Sequence, residues 1–174
     1  MVKVLAENLD KPIGIALKDG NLYVAAVSQI LRFDDIEKNL DQPKFVVVKD
    51  GLPKNATHAP RYISFGPDGK LYIGIGSPCD ICDAGDPYAS IWRLNPDGTE
   101  FDNFARGIRN TVGFDWDPKT GGLWFTDNGR DGLGDDEPRD ELNHAATSGL
   151  HFGYPYCQAG DIKDPDFGGT RECK

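Results

Sequence analysis

Three groups of residues in this chain are of kinds that carry chemistry. His58 stands in Thr57-His58-Ala59-Pro60. An imidazole, with an unperturbed pKa near 6.5, is the side chain best matched to accepting a proton at neutral pH; residue type alone favours a surface-loop histidine. Arg109-Asn110 joins a guanidinium to an amide. The guanidinium is a fixed fork of donors that suits planar, multiply oxygenated partners, although an exposed turn has the same composition. Residues 135–141, Asp-Asp-Glu-Pro-Arg-Asp-Glu, supply the carboxylates that hard cations such as calcium prefer. A solvated acidic loop reads the same way, and the spacing is not that of an EF-hand.

The cysteines add a fourth group. Cys79-Asp-Ile-Cys82 is half of a zinc pattern, but Cys157 and Cys173 are too far apart to supply the usual second pair. No strand–helix–strand pattern surrounds Cys79, which argues against a thioredoxin-like role. Two disulfides, 79–82 and 157–173, are the expected state, with a zinc site as the alternative, and disulfides belong to an oxidising compartment.

The elements that must position these residues come in three copies. Residues 12–24, 61–73 and 111–125 each read as a short apolar strand, a turn rich in Asp, Pro and Gly, and a second strand. Asp-Gly in such a turn is a hairpin signal, because glycine supplies positive φ without steric cost. Leu22-Tyr23, Leu71-Tyr72 and Leu123-Trp124 recur at spacings of 49 and 52 residues. A period of about 50 with strands throughout indicates a propeller. Residues 29–33, 44–49, 90–94 and 101–106 complete about four strands per unit, and no amphipathic helix is visible. The predicted fold is therefore all-β: about three four-stranded blades of a six-bladed propeller, over roughly 8–50, 58–106 and 109–174 of a single partial domain, 1–174. The irregular stretches 78–88 and 129–140 are where function is expected, since loops carry it.

Bulk properties exclude some classes. The net charge of −9 opposes nucleic-acid binding, which rests on neutralising phosphates. No run approaches the roughly 18 apolar residues of a membrane span. The apolar start Val2-Lys-Val-Leu5 is shorter than the roughly 7–15-residue core of a secretory signal.

Between Arg106 and Asn143 the order is Arg-Gly-Ile-Arg-Asn (106–110), Gly-Phe-Asp-Trp-Asp-Pro-Lys-Thr-Gly (113–121), Leu-Trp-Phe-Thr-Asp-Asn-Gly-Arg (123–130) and Asp-Asp-Glu-Pro-Arg-Asp-Glu-Leu-Asn (135–143), followed by Phe152-Gly-Tyr-Pro. Upstream stand His58, Phe65-Gly-Pro-Asp-Gly-Lys-Leu-Tyr72 and Ile91-Trp-Arg-Leu-Asn-Pro-Asp-Gly98. This succession resembles the glucose/sorbosone dehydrogenase family, and the loop at 78–82 resembles its sorbosone-dehydrogenase-like branch. The resemblance implies oxidation of an aldose or related sugar by hydride transfer to pyrroloquinoline quinone (PQQ), with calcium. It implies His58 as the base, with Arg109 and Asn110 against the quinone. The carbonyls of Gly129 and Arg130 would hold the active-site calcium; Arg130 stands where some relatives carry proline and so brings a cation near the metal. Asp140 and Glu141, with the Phe152 carbonyl, would form a second, structural calcium site. It also implies a periplasmic or secreted location.

Three blades do not close a ring, and both end faces are expected to be apolar. The remaining blades, or a second copy of the chain, are the expected partners. Two other functions fit the repeats: a non-catalytic propeller module, and a calcium-dependent six-bladed lactonase.

Overall fold

The computed structural model describes residues 2–54, 57–170 and 172–173. Each repeat is an antiparallel sheet, and the described residues contain no helix. The first sheet runs β1 (Gly14–Lys18), β2 (Asn21–Ala25), β3 (Ile30–Phe33) and β4 (Phe45–Lys49) in chain order. The second begins with β5 (Ile63–Phe65), β6 (Leu71–Ile75), β7 (Ser90–Leu94) and β8 (Asp102–Arg106). The third is β9 (Phe114–Trp116), β10 (Leu123–Asp127) and β11 (Glu141–Ala145). The turns follow the predicted chemistry. Lys18 pairs with Asn21, so Asp19 and Gly20 alone make the turn, at φ +50° and +80°. That is the two-residue turn whose twist matches the strands it joins.

Alternation along the second strand of each unit packs the sheets face to face. Leu71, Ile73 and Ile75 of β6 meet Tyr23, Ala25 and Ile30 of the first sheet, while Tyr72 turns the other way to Phe104, Phe114, Leu123 and Phe125. The middle sheet is thus buried on both faces, and β6 reads as a continuous apolar run, Leu-Tyr-Ile-Gly-Ile.

The third sheet departs from the expected four strands. After β11 the chain crosses back to the second sheet, where β12 (Leu150–His151) pairs in parallel with β8 and makes that sheet five-stranded. Gly149 N–H donates to Phe104 O (2.8 Å), Phe152 N–H to Arg106 O (2.8 Å) and Tyr154 N–H to Gly107 O (3.1 Å). These bonds satisfy the β8 edge, which would otherwise be an open pairing template. Phe152 anchors the crossing by packing edge-on against Phe125, 4.8 Å between centroids. A short hairpin, β13 (Cys157–Gln158) and β14 (Ile162–Lys163), follows.

The expectation of two bare end faces is corrected at one end. Leu5, Ala6, Leu9 and Leu22 pack on Val24, Leu31, Phe33 and Ile36, so the N-terminal segment covers the outer part of the first sheet's free face. Ile15 and Leu17 at its inner rim stay exposed (67% and 69%), as do Trp124 and Leu142 on the third sheet (41% and 68%).

Both predicted disulfides are present, Cys79–Cys82 and Cys157–Cys173. The second spans a separation of 16 residues. A crosslink of that span stabilises by about 3 kcal/mol, mainly by restricting the unfolded chain. Cys157→Ser/Cys173→Ser is therefore expected to lower the unfolding free energy by about that amount. A change below about 1 kcal/mol in urea titration would show that the β13–β14 region is held by its other contacts.

Candidate functional site

His58 precedes β5 and Arg109-Asn110 precede β9, while Ser77 and Asn128 follow β6 and β10. Antiparallel pairing places the start of each inner strand beside the end of the next, so these residues gather at one end of the sheets. Backbone bonds tie them together across units: Ser77 N–H donates to Arg109 O (2.8 Å), and Asn128 N–H to Asn110 O (3.1 Å).

His58 is half-buried, and its Nδ1 lies 2.9 Å from Ser77 O. A carbonyl only accepts, so in the neutral ring Nδ1 carries the hydrogen and Nε2 keeps its lone pair. Burial lowers the imidazole pKa; the Ser77 bond opposes this, and the Arg109 charge reinforces it. The ring is therefore neutral at pH 7. His58 and Asn110 line one open pocket of about 320 Å³, together with Ile13, Tyr62 and Val112. The backbone of His58 is held by Arg61, which is fully buried and donates to three carbonyls: Pro53 (2.7 Å), His58 (3.3 Å) and Val27 (3.3 Å). Burial lowers the Arg61 pKa to about 10, still leaving it charged.

Arg109 is buried, with its guanidinium fixed on two sides. Nε donates to Asp80 O (2.8 Å), Nη2 to Asp80 Oδ1 (2.6 Å) and Nη1 to Asn128 O (3.2 Å). Among the described residues these bonds take three of the guanidinium's five N–H groups, leaving one on each Nη. The backbone beneath is held by Asp127, the last residue of β10, whose two carboxylate oxygens accept the N–H groups of Arg109 (3.0 Å) and Asn110 (2.8 Å). Burial pushes the Asp127 pKa up to about 8, aided by Glu141 and opposed by those two N–H groups. The Asn110 side chain donates to Asn128 Oδ1 (3.0 Å).

The five residues expected at calcium fall into two places. The carbonyls of Gly129 and Arg130 lie in the loop that follows β10. The Arg130 side chain does not sit over them. It turns to Asp164 (2.9 Å) and Asp166 (3.0 Å), where the Asp164 side chain is fully buried, so its charge is neutralised away from the carbonyls. Asp140 supports this turn instead of joining Glu141: it accepts Gly129 N–H (2.9 Å) and Asn128 Nδ2 (3.3 Å). Glu141 and Phe152 line a separate open pocket of about 420 Å³ with Asn143 and Glu172. Among the described residues no three His, Cys, Asp or Glu side chains cluster as a metal site.

Sequence reading misses the residues that bring these groups together. Ser77, Asp127 and Arg61 act through backbone partners and Asp80 also through the Arg109 side chain, and their residue types do not name those partners. Gly76 is the clearest signal in retrospect: a Cβ there would lie 2.5 Å from His58 Cβ and 2.9 Å from Asn110 Oδ1. Glycine in a strand continuation marks such a close approach.

Comparison with known proteins places this arrangement. The family model described as Glucose / Sorbosone dehydrogenase matches residues 17–164. An uncharacterized protein of Borreliella burgdorferi is 36% identical over 166 residues, covering 89% of this chain and 44% of that protein. The calcium structure of a Trichoderma reesei carbohydrate-active enzyme of family AA12 superposes with a TM-score of 0.77 at 18% identity, over 91% of this chain and 51% of that one. The holo form of the pyranose dehydrogenase PQQ domain from Coprinopsis cinerea gives 0.72 at 15% identity, over 98% and 49%. The chain thus spans about half the length of the proteins it matches, and they share its fold. With most of its length inside the family model, and with the β-propeller sheets that the solved structures share, the chain belongs to the glucose/sorbosone dehydrogenase family.

Proposed function

We propose that this chain forms half of a sugar dehydrogenase that uses PQQ and calcium, oxidising an aldose or related sugar. The observation that carries the reading is the Ser77 backbone. Its carbonyl takes the His58 Nδ1–H and its N–H donates to Arg109 O, so the backbone of one residue fixes a neutral base beside a buried guanidinium. When bound, the quinone supplies the hydride acceptor and calcium polarises it. His58 Nε2 removes the proton from the sugar hydroxyl. Arg109, through its two remaining N–H groups, and Asn110, through its amide, would hold the quinone. Gly129 and Arg130 present carbonyls to the metal, with Asp140 holding their turn. Glu141 and the Phe152 carbonyl serve the second calcium.

The ring is completed by further blades or by a second copy, docking on the rims at Ile15 and Leu17 and at Trp124 and Leu142. The two disulfides fit a periplasmic or secreted setting. Among the described residues no helix is long and apolar enough to cross a membrane.

The test is to load the completed propeller with PQQ and calcium and assay a panel of aldoses with an artificial electron acceptor. Quinone-dependent oxidation supports the reading, and quinone binding without oxidation of any aldose returns it to a binding module. The pH profile gives a sharper check. The base works when unprotonated and its pKa is lowered, so kcat/KM rises with pH and levels off through a midpoint below about 6.5. A midpoint above that value assigns the proton transfer to another group.

A further inference from the structure

We propose that Asp80, presented by the Cys79–Cys82 bridged turn, is the positioning residue of Arg109 and sets the direction in which the guanidinium meets its ligand. This rests on the reading of Arg109 as a quinone contact.

Asp80 meets Arg109 twice, through its backbone carbonyl to Nε (2.8 Å) and through its carboxylate to Nη2 (2.6 Å). A two-point contact on one edge of a planar fork fixes both its position and its plane, which a single ion pair does not. The same Oδ1 accepts Asp131 N–H at 3.0 Å, so the carboxylate also holds the loop that follows Gly129 and Arg130. The side chain of Arg109 is 7% exposed and that of Asp80 40%, so the pair is sheltered on the arginine side. Burial works to raise the Asp80 pKa, and the Asp131 and Arg109 bonds overcome it, so the carboxyl stays below its ordinary range and charged.

Two devices hold Asp80 in place. The disulfide joins the residues on either side of Asp80-Ile81 and so closes the turn on itself. Tyr154, buried and brought from the strand that crosses back to β8, plugs the turn. Its hydroxyl accepts Cys82 N–H (2.9 Å), shares a hydrogen bond with Ser77 Oγ (2.8 Å) and lies 3.4 Å from Asp80 O. The bridged turn is therefore seated against the same Ser77 that orients His58. A sequence with Cys-x-x-Cys in this loop gains a rigid platform for one carboxylate; the bridge spans only three residues and so adds little chain-entropy stabilisation by itself.

The experiment is a double-mutant cycle on PQQ affinity in the completed propeller. Arg109→Ala, Asp80→Ala, Asp80→Asn and the Arg109→Ala/Asp80→Ala double variant are titrated with PQQ at fixed calcium. Hydrogen bonds to a charged group contribute enough that Asp80→Ala is expected to weaken binding about 10- to 100-fold. Asp80→Asn keeps an acceptor oxygen and is expected to fall between Asp80→Ala and the parent. The double variant should bind no more weakly than Arg109→Ala, because residues acting through one another are not additive. A second readout needs no quinone. The Arg109 Nη2–H, held by the Asp80 carboxylate, should give a slowly exchanging NMR signal that Asp80→Ala loses and Asp80→Asn keeps. Additive losses in the cycle, parent-like affinity in Asp80→Ala, or an unchanged Nη2–H signal would each overturn the positioning role. If Arg109→Ala itself binds PQQ as the parent does while the parent's Nη2–H signal still depends on Asp80, the clamp exists and the quinone role of Arg109 is what fails.

Discussion

Replacing His58 by alanine is expected to lower turnover of the quinone-loaded propeller by a factor on the order of 10² to 10⁴, the range a positioned general base contributes. Three features of the site set this expectation. The Ser77 carbonyl consumes the Nδ1 hydrogen and leaves Nε2 as the basic nitrogen. Burial keeps the ring neutral, and therefore competent, through the physiological range. The ring also faces the pocket it shares with Asn110, where a sugar hydroxyl can reach it. Because the side chain is half-buried at the pocket wall and outside the apolar clusters, its loss should barely move the unfolding midpoint. The measurement is steady-state kinetics on the variant at saturating PQQ and calcium. Turnover within about twofold of the parent would remove His58 from the proton transfer.

The second large effect is expected from Gly76→Ala, at a residue that touches no substrate. The added methyl would sit 2.5 Å from His58 Cβ, 2.9 Å from Asn110 Oδ1 and 3.2 Å from His58 O. Two of those neighbours are Cβ and backbone atoms, which cannot swing away as a side-chain tip can. The His58 segment is further pinned by Arg61, whose guanidinium grips the His58 carbonyl from beneath. The strain must then be relieved by moving the histidine and Asn110 apart or by shifting the end of β6. Misplacement of a reacting group by about 1 Å costs on the order of 10²-fold in rate, while overpacking costs about 1–3 kcal/mol of stability. The variant is therefore expected to fold, to unfold earlier, and to lose about two orders of magnitude in kcat/KM. An enzyme with full activity and reduced stability would show that the site tolerates the shift, and that Gly76 serves packing alone.

Much of the fold was legible because hairpins are local. Asp19-Gly20 sets its turn by its own φ preferences, and the alternation of Leu71, Ile73 and Ile75 needs no distant partner to be read. Period and turn chemistry thus located β1 to β8, the strands of the first two units. The third sheet failed the same rule for a non-local reason: the segment after β11 gains more by satisfying the β8 edge and burying Phe152 and Tyr154 than by adding a fourth strand beside Leu142. Local preference at Leu150–His151 is identical in either place, so only the tertiary structure decides between them.

The site divides along the same line. His58, Arg109, Asn110 and the Gly129-Arg130 carbonyls were named from residue type and resemblance, because their own chemistry marks them. The sequence could not show that Arg130 spends its charge on Asp164 and Asp166, 34 and 36 residues away, or that Asp140 turns to Gly129 while its neighbour Glu141 faces the other pocket. Nor could it show Asp127 gripping two backbone N–H groups, or Asp80 holding Arg109 across 29 residues. What the sequence by itself determined is which side chains have reactive chemistry and which segments extend. Which of them meet depends on long-range pairings between sheets, and those are decided by burial and by hydrogen bonds whose partners no local pattern encodes.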